Sequence, residues 1–227
     1  MKSIQRNVLI SLVALLGPLV SGCGNVRDQG RSAVQVFIQD LEGVPGDATS
    51  DKGQTIISDV QSTVTSPDPC STTNPCPTVI NDIGEVTFAA ILKDQGQAGL
   101  TSSPSPLNAV TINRYHVEFV RSDGRNTPGI DVPYPFDGAF TVTVNAGATV
   151  SATFDLVRHD AKQERPLISL ICTGGSQTNP NDRIAGICPP MISTVANITF
   201  YGTDLTGNAV TVSGSIGVTF GDITRAS

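Results

Sequence analysis

Five cysteines, two histidines and one Asp- and Asn-bearing loop are the residues of this chain whose types and spacing can do chemistry. Four of the cysteines fall into two pairs, each in its own irregular segment. Cys70-Ser-Thr-Thr-Asn-Pro-Cys76 is a short polar loop, and Cys172 to Cys188 encloses a stretch rich in Gly, Asn and Pro. Four cysteines allow three connectivities. Pairing Cys70 with Cys76 and Cys172 with Cys188 staples each loop at its base. Closing a loop of about 15 residues is worth about 3 kcal/mol in the chain-entropy account. A zinc reading fails on spacing, which lacks paired knuckles and a neighbouring histidine. Asp123, Asn126 and Asp131 offer oxygen ligands on a turning backbone, as Ca²⁺ requires. Their spacing is not that of an EF-hand and the closing Glu is missing, so turn formation accounts for them and no metal is expected. His116 lies mid-strand and His159 in a charged stretch, where a lone histidine is more often structural or solvent-facing than catalytic. Gly174-Gly-Ser176 lacks the Gly-x-Ser-x-Gly elbow. No phosphate loop or dinucleotide fingerprint occurs. The expectation is a non-enzyme without cofactor or catalytic residues, with a hydrolase of unrecognised site as an alternative.

The fifth cysteine has a different setting. Lys2 and Arg6 precede the apolar run Val8 to Leu16, and small residues then lead to Val20-Ser21-Gly22-Cys23. A positive start, a short apolar core and small residues before a cut mark residues 1–22 as a secretory signal. The apolar run is too short to cross a bilayer comfortably. Its last residues, with Cys23, resemble the bacterial lipobox, in which the cysteine thiol is lipidated and the bond before it is cut. The resemblance implies that Cys23 opens the mature lipoprotein and carries acyl chains such as palmitate. Several chains together anchor a protein stably, whereas one binds only marginally. The next residue is Gly24; in Gram-negative lipoproteins Asp there tends to retain the protein in the inner membrane. The resemblance thus implies a lipid-anchored protein of the cell envelope, in the outer membrane where the host has one. Residues 23–32 form its lipidated tether, polar and glycine-containing.

Beyond the tether, a set of regular elements must hold those loops apart. Aromatics are few (Phe 8, Tyr 3, Trp 0), while Val, Ile, Thr, Gly and Pro are plentiful, which suits strands joined by many turns. Period-two alternation marks half-buried strands, since successive side chains point to opposite faces. It is clearest in Thr194 to Phe220, where Ala196, Ile198 and Phe200 share one face. Val210, Val212, Ile216, Val218 and Phe220 share another, across a turn at Asp204-Leu-Thr-Gly207-Asn208. A second hairpin is expected to pair Phe140, Val142 and Val144 with Val150, Ala152, Phe154 and Leu156 around Asn145-Ala-Gly147. Further strands are expected at 33–41, 54–60, 85–93 and from Ala109. There the inward phase switches near Asn113-Arg114, which predicts a bulge. Residues 61–78 read as an irregular excursion and 94–106 as a loop. Residues 158–165 read as a solvated strand end or one helical turn, and Leu167 to Ile171 as a short strand.

These strands predict an all-β chain, an antiparallel two-sheet sandwich with long disulfide-closed loops. Ile198 to Asn208, with the alternating strand after it, resembles the closing hairpin of bacterial immunoglobulin-like domains. That resemblance covers about 27 residues and implies an Ig-like sandwich over 33–227, nearly twice the length of a simple module of about 100 residues and without its core Trp. Two small tandem domains are the alternative. Beyond residue 22 the chain has 12 basic against 20 acidic residues, a net −8, which argues against nucleic acid and against electrostatic attraction to anionic lipid. The function expected is a non-catalytic binding or structural module, held to the membrane through Cys23. Another envelope protein, a surface polymer or a secretion or pilus assembly is its expected partner. A carbohydrate-binding or enzyme-accessory lipoprotein is the alternative, against which the scarcity of aromatics for sugar stacking weighs.

Overall fold

Alternating apolar residues build the two longest strands, β11 (Ile192–Asp204) and β12 (Ala209–Gly221), into one antiparallel hairpin. Ala196, Ile198, Phe200, Val210, Ile216 and Phe220 are fully buried on its inner face. The turn closes as the sequence requires. Gly207 takes a φ of +85°, and the Asp204 carboxylate accepts from the amides of Thr206 (2.9 Å) and Asn208 (2.8 Å). Burial pushes the Asp204 carboxyl up, but these donors, with the Asn208 and Thr206 side chains, hold it well below the usual range.

The computed structural model describes residues 31–94, 96–97, 100–172 and 188–223. Before the hairpin come β1 (Val34–Val44), β2 (Thr55–Asp59), β3 (Ser62–Val64), β4 (Cys76–Thr78) and β5 (Asp82–Leu92). Next are β6 (Gly96–Gln97), β7 (Leu100–Thr101), β8 (Ala109–Val120), β9 (Phe136–Asn145) and β10 (Thr149–Val157). A single helical turn, α1 (His159–Lys162), and a 3-10 turn at Leu167–Leu170 follow β10. Eight strands form the two larger sheets, one in the order β1-β5-β10 and the other β2-β12-β11-β8-β9. The chain is an all-β sandwich.

Four expectations need correction. The strands β9 and β10 do not pair with each other: β9 joins β8 and β10 joins β5. The turn between them carries the chain from one sheet to the other. Its Ala146 amide donates to Asn108 (2.8 Å) in one direction and its Gly147 amide to Ala90 (2.7 Å) in the other. Alternation looks the same for strands that pair side by side and strands that face each other across a core, so pattern alone chose wrongly. Second, β2 runs parallel to β12, so the sheets are not wholly antiparallel. Third, Leu167–Leu170 is a 3-10 turn, not a strand, because Leu167 and Leu170, three apart, both reach the core. Fourth, neither the 61–78 excursion nor the 94–106 loop is wholly irregular, since β3 pairs with β4 in the one and β6 with β7 in the other. The phase switch in β8 is a bulge between Ile112 and Arg114, after which Tyr115, Val117 and Phe119 point inward. Both expected disulfides are present, with Cα–Cα distances of 5.3 Å for Cys70–Cys76 and 4.3 Å for Cys172–Cys188.

Five rings fill the middle of the core. Phe200 meets Phe88 edge to face at 5.0 Å and Phe154 at 5.3 Å, Tyr115 meets Phe154 at 5.1 Å, and Phe140 lies 5.5 Å from Phe200. Two glycines make room for them. Gly84 sits opposite Phe154 on β10, and Gly138 opposite Tyr115 on β8. A Cβ at either position would run into the ring facing it. Gly84→Val is therefore expected to cost about 1–3 kcal/mol through overpacking. Urea unfolding of the full-length protein measures it, and an unchanged midpoint would show that the ring has somewhere else to go.

Candidate binding cleft

Strand direction gives the sandwich two unlike ends. At one end the chain enters β1, with Val34 opposite Leu92. There the Ser32 hydroxyl accepts from the Val34 amide (3.2 Å) and lies against the Asp204 carboxylate. The turns 146–148 and 205–208 close the same end. The β5–β8 connection also leaves Leu92 and reaches Ala109 at this first end. At the other end, where Ile192 faces Phe220 and Val157 faces Asp82, lie the connections 60–81 and 121–135 and the described residues 158–172 and 188–191. Both disulfides belong to this end.

A cleft of about 550 Å³ opens among these connections. Arg121, just beyond β8, and Arg125 line it on one side, and Arg165, between α1 and the 3-10 turn, lines it on another. Asp123 orients the first two. Its carboxylate accepts from Arg121 through Nε (3.1 Å) and Nη2 (2.5 Å), and from Arg125 through Nε (3.2 Å). Arg121, first, and Arg125 hold the Asp123 carboxyl well below the usual carboxylate range. The Arg121 side chain is only 15% exposed, so the two-bond fork fixes a side chain already largely withdrawn from water. Apolar walls come from Ile130, Pro166, Leu170, Pro189, Met191 and Ile192. The Cys172–Cys188 bridge brings the segment after the 3-10 turn beside the segment leading into β11. Asp222 secures that bridge by accepting from the Cys172 amide at 2.8 Å.

The calcium candidates lie on the same loop, but their oxygens serve the chain's own donors. Asp123 faces the two arginines, Asn126 Oδ1 accepts from the Arg121 amide (2.6 Å), and Asp131 Oδ2 accepts from the Thr127 amide (3.3 Å). The sequence shows Arg-x-Asp-x-Arg at 121–125, a signal of this clamp that a metal reading passes over. Arg165 is separated from it by 40 residues or more, so only the fold joins them. The histidines do not approach the cleft. His116 Nδ1 lies 3.3 Å from Asp137 Oδ1, while His159 lies against Asn81 (2.9 Å) and Asp160 (2.9 Å). Cys23 and the 1–22 segment lie outside the described residues.

Beneath this end is a buried polar cluster that the sequence reading missed. Lys162, assigned there to a solvated stretch, is 2% exposed and donates to Asp82, itself 0% exposed, at 3.1 Å. Asp82 also accepts from the Gly46 amide (3.0 Å), so one carboxylate ties α1 and the β1–β2 connection to β5. Burial pushes the Asp82 carboxyl up, and the Lys162 charge opposes it. Nearby, Asp59 accepts from the amides of Gln61 and Ile223, both at 3.2 Å. Burial pushes its carboxyl up to about 7, with those two amides pulling the other way.

No family model matches the chain, and no curated protein matches it. Among solved structures, the X-ray structure of Northeast Structural Genomics Consortium target SoR45 is similar over 82% of this chain and 86% of that one. The identity is 9% and the TM-score 0.33, a likeness too slight to bear on function.

Two predictions concern the cluster. Lys162→Met leaves Asp82 buried without its cation and is expected to cost about 3–5 kcal/mol in urea unfolding. Adding Asp82→Leu should recover most of that loss. For Asp59 the folded pKa lies above the ordinary value of 3.8, so folding binds a proton between those limits. Stability from this group is full below about pH 4 and is lost as the pH rises through about 7. Asp59→Asn should flatten that part of the wild-type Tm profile, and an unchanged slope would assign it to other groups.

Proposed function

We propose that this chain is a lipid-anchored protein of the bacterial cell envelope whose immunoglobulin-like sandwich is a non-catalytic binding module. The anchor rests on the signal segment 1–22 and on Val20-Ser21-Gly22-Cys23. The immunoglobulin-like reading is supported by strand order. The first part of the chain serves both sheets, β1 against β5 and β2 beside β12, while β8, β11 and β12 share a sheet with β9 at its edge. Taking β5 as strand B makes β8, β9, β10, β11 and β12 strands C, C′, E, F and G, the sheet assignment of that family. The five-ring cluster then occupies the position of the missing Trp.

One observation carries the binding role. The arginine-lined cleft lies at the end of the sandwich opposite the chain's entrance from Cys23, so a domain held by its tether turns the cleft away from the membrane. β11 alone is 13 residues, about 40 Å at strand rise, which is the separation involved. Loops on a rigid sandwich are where such domains make contacts. A second envelope protein is the partner this reading favours.

Expression in a Gram-negative host with radiolabelled palmitate tests the anchor. Label is expected on the wild-type protein in the membrane fraction, with Cys23→Ser unlabelled and soluble. Label retained by Cys23→Ser, or absent from wild type, would remove the lipoprotein reading.

A further inference from the structure

We infer that the cleft is a docking site for an acidic peptide segment, carboxylates and apolar side chains together, of a partner protein. The inference rests on the binding-module reading and names the ligand of that module. Of the residues that line the cleft, three carry guanidiniums and none a carboxylate, in a chain whose formal charge is −6. A local reversal of sign on an acidic protein favours an anion at that spot and repels it elsewhere. Arg121 and Arg125 are held in place by Asp123 behind them, so little side-chain freedom is lost when they engage a ligand. Arg165 makes no ion pair with a described residue, and its fork is open to a carboxylate.

The walls decide among anions. Ile130 is 71% exposed and Met191 58% exposed, both at the cleft, beside Pro189 and Pro190. Large apolar side chains left in water around fixed guanidiniums suit a ligand that alternates charge with apolar groups, as a peptide does. A bare phosphate polymer would leave them uncovered. Anionic lipid is disfavoured because the cleft lies about 40 Å along the strands from the tether. A sugar chain would find no aromatic ring among the lining residues to stack on. The volume, about 550 Å³, is in the range of sites that enclose a small ligand or a few peptide residues.

The test is selection of random octapeptides on full-length protein in detergent, followed by fluorescence anisotropy with the selected peptide. Peptides enriched in Asp or Glu next to Leu, Ile or Met are expected. Arg165→Ala should weaken binding about tenfold, as loss of one charge-assisted fork does. Arg165→Lys should restore part of it, and Met191→Glu should weaken it by charge repulsion at an exposed site. Affinity should fall as salt rises. Enrichment of basic or neutral peptides, no enrichment, or affinity untouched by Arg165→Ala would overturn the inference. Displacement of the peptide by vesicles containing one-third phosphatidylglycerol, dependent on Arg165, would overturn it in favour of lipid. Repeating the measurement with Cys23→Ser separates this result from the anchor: peptide binding without palmitate labelling would leave the cleft standing and the lipoprotein reading lost.

Discussion

Edge-to-face packing of five rings between the two sheets is the constraint to which the other strands conform. Sheets stack about 10 Å apart, and without Trp that depth must be filled by several smaller rings. Phe200 meets all four others, Phe88, Phe140, Phe154 and Tyr115, and each comes from a different strand. Cross-strand glycines are the other half of the device. Gly84 and Gly138 give up side chains so that Phe154 and Tyr115 can lie flat over backbone rather than project past it. The bulge in β8 has the same origin. Without it, Tyr115 would point to solvent while Ile112 pointed inward.

Much of this was legible in the sequence because inward faces repeat every second residue. The closing hairpin, the phase switch near Asn113 and the turn at Asp204 are all local features, and local chemistry determines them. The pairing of strands is not local. β9 and β10 carry the same alternation they would carry in a hairpin, yet the turn between them gives its Ala146 amide to Asn108 on one side and its Gly147 amide to Ala90 on the other, partners distant in sequence. The parallel partnership of β2 with β12 joins segments some 160 residues apart. Lys162 looked solvated because its neighbours His159, Asp160 and Glu164 are polar, while its partner Asp82 is 80 residues away. The cleft was hidden for the same reason, since its arginines lie on two connections.

The two ends of the sandwich have been elaborated unequally. At the entrance end three-residue and four-residue turns stand beside the longer β5–β8 connection, while the cleft and the connections that line it lie at the other. A buried ion pair is an expensive way to fasten such connections, because both charges must be stripped of water. Here it fixes α1 and the β1–β2 connection against the first residue of β5, under connections that carry little regular structure. The disulfides act at the same end, Cys70–Cys76 within one connection and Cys172–Cys188 between the 3-10 turn and the approach to β11.

The pairing of β1 with β5 has a mechanical consequence. Their hydrogen bonds lie across the strand axis along 11-residue strands, from Val34 opposite Leu92 to Val44 opposite Ile83. A pull applied at the N-terminus and resisted at the far end of the sandwich runs along that axis. The bonds then carry the load together, in shear, instead of opening one after another like a zipper. A domain strung this way resists tension best when its tether and its load are at opposite ends.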